Sequence, residues 1–276
     1  MAISVNTNLS ALTAARILTN TNDALDKTQK RVSSGYTISD AFDNGAIYAV
    51  AQNVRSDLSG ITAVNGQLGG GLGAIQVANT AVNSISNKMQ DMRKTLTQLA
   101  DGNVAGDTRT QLELQYSEQM QSLVNFATAA DYNGTNLVSN GTNYSIIRDA
   151  LGNQLAITAV ATQVVAAFSA LSIAVTGGFT SAASMLNQTL SFATAESNIG
   201  TALNRIGVLN MRLSDQIRYN EGVEDAFKAG LSSLIDADLT VESATLTSLQ
   251  IKQQLSSQSL SIANQRPQIL LSLFGG

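Results

Sequence analysis

The feature that most constrains this chain is an apolar stripe at helical spacing between Ile47 and Leu99. Steps of four and three residues meet Ile47, Ala51, Val54, Leu58, Ile61, Asn65, Leu68, Leu72, Ile75, Ala78, Val82, Ile85, Met89, Met92, Leu96 and Leu99. Among these positions only Asn65 is polar. A mean spacing of about 3.5 residues is the seam of a left-handed coiled coil. At ~1.5 Å per residue it predicts a helix of about 80 Å. Such a helix cannot bury its own stripe, so it requires a partner of similar length. Gly69-Gly70-Gly71-Leu72-Gly73 interrupts the stripe. Each glycine weakens a helix by roughly 1 kcal/mol relative to Ala, so the run marks either flexibility or a close-packed neighbour. No Lys-Ser/Thr follows it and no strand precedes it, as a phosphate loop requires.

Beyond Asp101-Gly102-Asn103, a stop signal, a second helix is expected from about Thr108 to Ala130. Leu112, Tyr116, Leu123 and Phe126 would line one face. Asn133-Gly134 and Asn140-Gly141 are hairpin turn signals. They predict short strands that continue into the uncharged run Leu155–Val175. Thr158, Thr162, Gln163, Ser169 and Ser172 argue against reading that run as a membrane span. Its small and β-branched residues suit packed strands or a core helix. Helix resumes by about Ala182, with Ile199, Leu203, Ile206, Leu213 and Ile217 as its stripe and Asn210 as a polar exception.

The two ends carry thinner stripes. One holds Ala11, Ala14, Leu18, Leu25 and Val32; the other holds Ile235, Leu239, Leu246, Leu249, Leu260 and Ala263, broken by Glu242, Gln253 and Ser256. Neither is apolar enough to hold an isolated helix firmly, so each needs a neighbour. Arg31-Val32-Ser33-Ser34-Gly35 reads as a joint, with Gly35 ending the first helix. The expected fold is mainly α. It is a long antiparallel coiled-coil hairpin with a small β-hairpin-rich tip, in which the N- and C-terminal helices pair.

Composition excludes several functions. The chain has no Cys and no His, which removes disulfides, zinc ribbons, thiol nucleophiles and serine–histidine triads. Residues 1–39 and 243–276 are each net +2, around an acidic middle, and the whole is net −4. That balance is poorly suited to nucleic-acid phosphates. The paired acids Glu224/Asp225 and Asp236/Asp238 have no partner at catalytic or metal-ligand spacing. No cofactor and no catalytic residue is expected. The start of the chain has neither the basic nor the apolar region of a secretory signal.

Several motifs resemble bacterial flagellin over nearly the whole chain. At the N-terminal end these are Val5-Asn6-Thr7-Asn8-Leu9, Lys30-Arg31-Val32-Ser33-Ser34-Gly35 and Asp43-Asn44-Gly45-Ala46-Ile47. At the C-terminal end they are Ile235-Asp236-Ala237-Asp238, with Leu239 in place of the family's aromatic residue, Ala263-Asn264-Gln265-Arg266-Pro267-Gln268, and the ending Leu270-Leu271-Ser272-Leu273-Phe274. The resemblance implies a structural homopolymer, the extracellular flagellar filament, built from subunits that leave by flagellar type III export. It implies an inner layer (D0) from residues 1–40 and 233–276, and a rod (D1) from residues 41–232 with a β-rich tip near 131–180. Leu9, Leu18, Leu25, Val32, Leu246, Leu249, Leu260, Pro267, Leu273 and Phe274 would then be assembly residues. Ile47, Val54, Leu58, Ile61, Leu68, Ile75, Val82, Ile85, Met89 and Leu96, with Ile199, Leu203, Ile206 and Leu213, would form the rod core. Export chaperone, filament cap and hook-associated junction proteins would be partners; nucleic acid and membrane insertion are not expected.

The resemblance also places a segment read by a vertebrate Toll-like receptor at Gln90–Gln98. There the family's contacting Arg and Leu become Asp91 and Thr95, and a Glu on the next helix becomes Gln115. These departures predict poor receptor activation. A hook–filament junction protein, which shares the terminal helices but forms a short ring, is the competing reading.

Overall fold

The computed structural model describes the backbone of residues 8–176 and 182–274, and side chains for residues 8–171 and 191–265. The described residues form α1 (Leu9–Ser34), α2 (Ala41–Leu99), α3 (Gly106–Thr128), β1 (Asp131–Tyr132), β2 (Thr135–Asn136), β3 (Tyr144–Ile147), β4 (Gln154–Ile157), α4 (Ala161–Thr176), α5 (Ala182–Ile235) and α6 (Leu239–Phe274). The fold is mainly α. Both strand pairs, β1–β2 and β3–β4, are antiparallel hairpins. Among the described residues, no helix is long and apolar enough to cross a membrane.

Two compact units emerge. One comprises residues 1–56 and 226–276, the other residues 57–225. The expected boundaries fall elsewhere, at the start of α2 (40/41) and just before the end of α5 (232/233).

The stripe that predicted α2 is its buried face. In the 57–225 unit Ile61, Leu68, Ile75, Ala78, Val82, Ile85, Met89, Met92, Leu96 and Leu99 are buried, and Leu58 is half-buried. In the other unit Ala51 joins Ile38 and Ile235 in a smaller core, with Ile47 packed on it; Val54 is half-buried. The stripe begins at Ile47 because the backbone breaks at Asn44 (φ −162°, ψ 101°). The Asn44 Oδ1 accepts the amides of Ala46 and Ile47, capping the long segment that follows.

Asn65, the polar exception, is explained by its partner helix. Its Oδ1 accepts a bond of 3.0 Å from Nδ2 of Asn220, a buried residue of α5. Asn220 also donates to the Arg148 carbonyl after β3 and accepts from Gln216. A polar pair in an apolar seam fixes register, because sliding either helix leaves both amides unsatisfied.

Three expectations are corrected. The uncharged run is a strand only to Ile157; α4 then takes over, with Val160, Ala161, Val164, Ala167 and Leu171 buried at three- and four-residue steps. The turn signals place strands in this stretch, and the small and β-branched residues suit either strand or core helix; beyond Ile157 the helix wins because its period buries a whole face. On α5 the seam runs through Phe192, Ala195, Ile199, Ala202, Ile206, Leu209 and Leu213. Leu203 is half-buried and packs against this core, whereas Asn210 is exposed, so Asn210 is no exception within the seam. On α3, Ala127 is buried in place of Phe126, which lies outside the core and lines an open groove with Val77 and Tyr132.

The glycine run serves close packing at two of its positions. A Cβ on Gly71 would stand 2.5 Å from Ile146 Cδ1 of β3, and one on Gly73 would stand 2.7 Å from the Tyr132 ring of β1. At Gly69 and Gly70 nothing lies within 4 Å. Each hairpin therefore seats in a notch that only glycine leaves open.

Candidate assembly surface and joint

Within the first unit α1 and α6 pair antiparallel, as three cross-ties show. Arg31 Nη1 meets Glu242 at 3.2 Å, Gln253 Nε2 donates to Asn22 Oδ1 at 2.9 Å, and Asn8 Nδ2 donates to the Ala263 carbonyl at 2.8 Å. Asn8 also caps α1 by accepting from the Ala11 amide. The seam on α1 is Ala11, Ala14, Leu18, Thr21, Leu25, Thr28 and Val32; on α6 it is Glu242, Leu246, Leu249, Gln253, Ser256, Leu260 and Ala263. Of these only Thr28 and Ala263 are fully buried. Glu242, Gln253 and Ser256, which interrupt the apolar pattern, thus sit on the seam, and the first two carry cross-ties. Such layers cost stability and specify register.

Both helices also present apolar side chains to solvent. Leu9, Leu12 and Ile17 are exposed on α1, and Val241, Ile251, Leu255 and Ile262 on α6. The α6 residues lie ten, four and seven positions apart, and Leu255 borders the α1 seam, lining a groove with Ala14, Ile17 and Thr21. Of the candidate assembly residues, Leu9 is exposed, whereas Leu18, Leu25, Val32, Leu246, Leu249 and Leu260 are half-buried between the helices. Pro267, Leu273 and Phe274 lie outside the described side chains.

The joint brings together two motifs nearly 200 residues apart. Gly35 ends α1 in the left-handed region (φ 74°), its amide bonded to the Arg31 carbonyl. The Gly35 carbonyl accepts from Ala237, the Thr37 amide donates to the Ile235 carbonyl, and the Thr37 hydroxyl donates to the Asp236 carbonyl. Tyr36 and Asp236 form a bridge, and the Arg55 guanidinium stacks 5.8 Å above the Tyr36 ring. Asp238 caps α6 through the amides of Thr240 and Val241.

Beside this joint the sequence reading missed an ionic cluster. Lys30 Nζ binds both Asp40 and Asp43. Asp43 Oδ2 also accepts from the Ser39 amide, the Ser39 hydroxyl and the Asp40 amide. These donors, the Ser39 amide first and Lys30 next, hold the Asp43 carboxyl down at about 2. Lys30 holds Asp40 below the usual carboxylate range, and Asp40 in turn raises Lys30. The three residues flank the helix break at Gly35, a spacing that sequence periodicity does not register.

In the receptor-like segment Asp91 is exposed between Lys88 and Lys94, and Gln115 is exposed on α3. Thr95 differs: it is 2% exposed, its hydroxyl bonded to the Asp91 carbonyl, so it faces the core and presents nothing to a partner.

Terminal helices that pair through a thin seam, while presenting a second apolar row, define a self-assembling structural protein. Comparison with known proteins gives the family. Residues 5–143 match the bacterial flagellin N-terminal helical region, and residues 183–274 match the bacterial flagellin C-terminal helical region. A flagellin of Brucella melitensis is 33% identical, the match covering 99% of each chain. Flagellin FljO of Caulobacter vibrioides is 32% identical over 98% of each. A solved structure described as a flagellar hook-associated protein of Vibrio parahaemolyticus shares the fold (TM-score 0.57, 13% identity, 70% of this chain and 100% of that one). This chain belongs to the bacterial flagellin family. It is a structural subunit that polymerises into the flagellar filament of motile cells, and the junction-protein reading has no stronger support.

Proposed function

We propose that the α1–α6 arm forms the inner layer of the filament (D0) and that residues 41–232 form the surrounding rod (D1), with the hairpins and α4 at its tip. One observation carries this reading: Val241, Ile251, Leu255 and Ile262 stay exposed on α6 although its seam with α1 is itself thin. Burying one such side chain fully is worth roughly 1.5–3 kcal/mol. A lone arm leaves that unrealised, so its order depends on neighbouring copies, and premature nucleation is slow. The subunit travels by flagellar type III export to the cell exterior. It meets an export chaperone, the filament cap and hook-associated junction proteins on the way. It performs no catalysis; a chain without His or Cys lacks the commonest general base and the thiol nucleophile.

Truncation tests the layer assignment. Deleting residues 1–35 or 240–276 abolishes filaments in electron micrographs while circular dichroism still reports helix. Filaments that survive either cut contradict it.

The receptor reading rests on Asp91 and Gln115, an acid and an amide where the family presents Arg and Glu. Purified monomer gives a weak signal in cells reporting the flagellin-sensing Toll-like receptor. A response equal to that of a typical enteric flagellin refutes this.

A further inference from the structure

Four Asn-Gly pairs occur in this chain, at Asn44, Asn65, Asn133 and Asn140. Asn-Gly is the dipeptide most prone to deamidation, because glycine places no Cβ against the closing ring. The ring forms when the glycine amide nitrogen attacks the asparagine Cγ. A C–N bond forms and ammonia leaves. Water then opens the resulting succinimide at either carbonyl, giving aspartate or isoaspartate. The attack needs an asparagine side chain free to swing its Cγ over the glycine nitrogen and a glycine amide not held in a hydrogen bond.

Three pairs fail that requirement. Asn44 Oδ1 is engaged by the amides of Ala46 and Ile47. Asn65 lies inside α2 with its Oδ1 bonded to Asn220, and Gly66 is held in the helix. Asn133 sits at the hairpin turn (φ 52°), where the Gly134 amide donates to Asp131 Oδ1 at 2.9 Å. Asn140 is held in neither way. It lies in the irregular stretch 140–143 before β3, outside any helix or tight turn, and the Gly141 amide is in none of the backbone hydrogen bonds found among the described residues.

The geometry points to Asn140 as a site of spontaneous covalent modification, selected by the fold from four chemically equivalent dipeptides. Conversion adds one negative charge beside the hairpins, taking the formal net charge of −4 one unit further. The isoaspartyl form also lengthens the main chain just before Asn143, whose Oδ1 accepts from the Ala159 amide at 3.2 Å. The modification therefore acts where β2, β3 and the start of α4 are tied together.

The test incubates folded full-length protein at mildly alkaline pH and localises the amide-to-carboxyl mass change by peptide fragmentation. Fragmentation must separate Asn133 from Asn140, since no Lys or Arg lies between them. Isoaspartyl methyltransferase labelling provides a second readout. Asn140 converts at least about tenfold faster than the other three, a factor set by the local opening they require. In urea the four rates converge. Asn140→Gln removes the native-state signal, and Asn133→Gln leaves it. Equal rates in the folded protein, or Asn133 leading, overturn the assignment.

Discussion

At the scale of single residues, identical amino acids take opposite roles because their surroundings differ. Gly69 and Gly71 lie two positions apart on α2, yet only Gly71 faces β3 and Leu213. Gly69→Ala therefore gains helix propensity, raising stability by up to about 1 kcal/mol. Gly71→Ala makes the same local gain but drives a methyl into Ile146, with Leu213 and Ile157 close behind. Overpacking of this kind costs about 1–3 kcal/mol, so the net change is destabilising. Denaturant melts of the two variants decide it; equal shifts would mean that the β3–β4 hairpin does not seat in this notch. Tyr116 illustrates the same dependence on surroundings. Burial pushes its phenol up to about 12, above the ordinary 10.0, so it stays neutral in the core.

At the scale of elements, the joint between α1 and α2 has a definite pH signature. The folded-state value of Asp43 lies below its ordinary 3.8, at about 2. Its stabilising contribution is therefore complete above about pH 4 and is lost as pH falls toward 2. Asp40 shifts in the same direction, while Lys30 shifts upward and contributes until the solution is strongly alkaline. Carboxyl-carbon NMR should show Asp43 titrating at about 2, below the ordinary 3.8. Lys30→Ala should move its midpoint toward the ordinary range. An unmoved midpoint would mean that the Ser39 and Asp40 amides hold Asp43 without help from the lysine. The cluster is exposed and salt-screened, so it orients the joint more than it stabilises it.

At the scale of the whole molecule, the apolar rows on α1 and α6 set how assembly responds to solution conditions. The subunit is net −4, and the exposed row of α6 contains no charged residue. Salt screens subunit repulsion, and kosmotropic anions strengthen apolar burial. Seeding purified protein in ammonium sulfate should therefore speed growth of filaments roughly 100–200 Å wide, a figure that follows from the helix length. Negative-stain microscopy reads this directly. Growth that falls as salt rises would show an interface held by ion pairs instead.

How much of this was legible in the sequence follows from range. Periodicity is local, so the α2 stripe, the α1 seam with Gly35 as its stop, and the paired terminal helices could be read from spacing alone. The strands expected to continue into Leu155–Val175 stop at Ile157, because turn signals mark where a hairpin sits and not how far its strands run, and small and β-branched residues suit a core helix equally well. The α5 stripe passes over Ala202, which is buried, and counts Asn210, which is exposed, since hydrophobicity ranks Ala low whereas packing favours whichever residue faces the neighbour. The polar seam residues Asn65, Gln253 and Glu242 looked like defects until Asn220, Asn22 and Arg31 stood opposite them. The sequence by itself determined the helical period, the stops and the family, because these depend on residues a few positions apart. Only the tertiary structure decided which glycines are notches, which polar residues are register pins and which asparagine is chemically exposed. Those properties belong to pairs of residues that the chain brings together across tens to hundreds of positions.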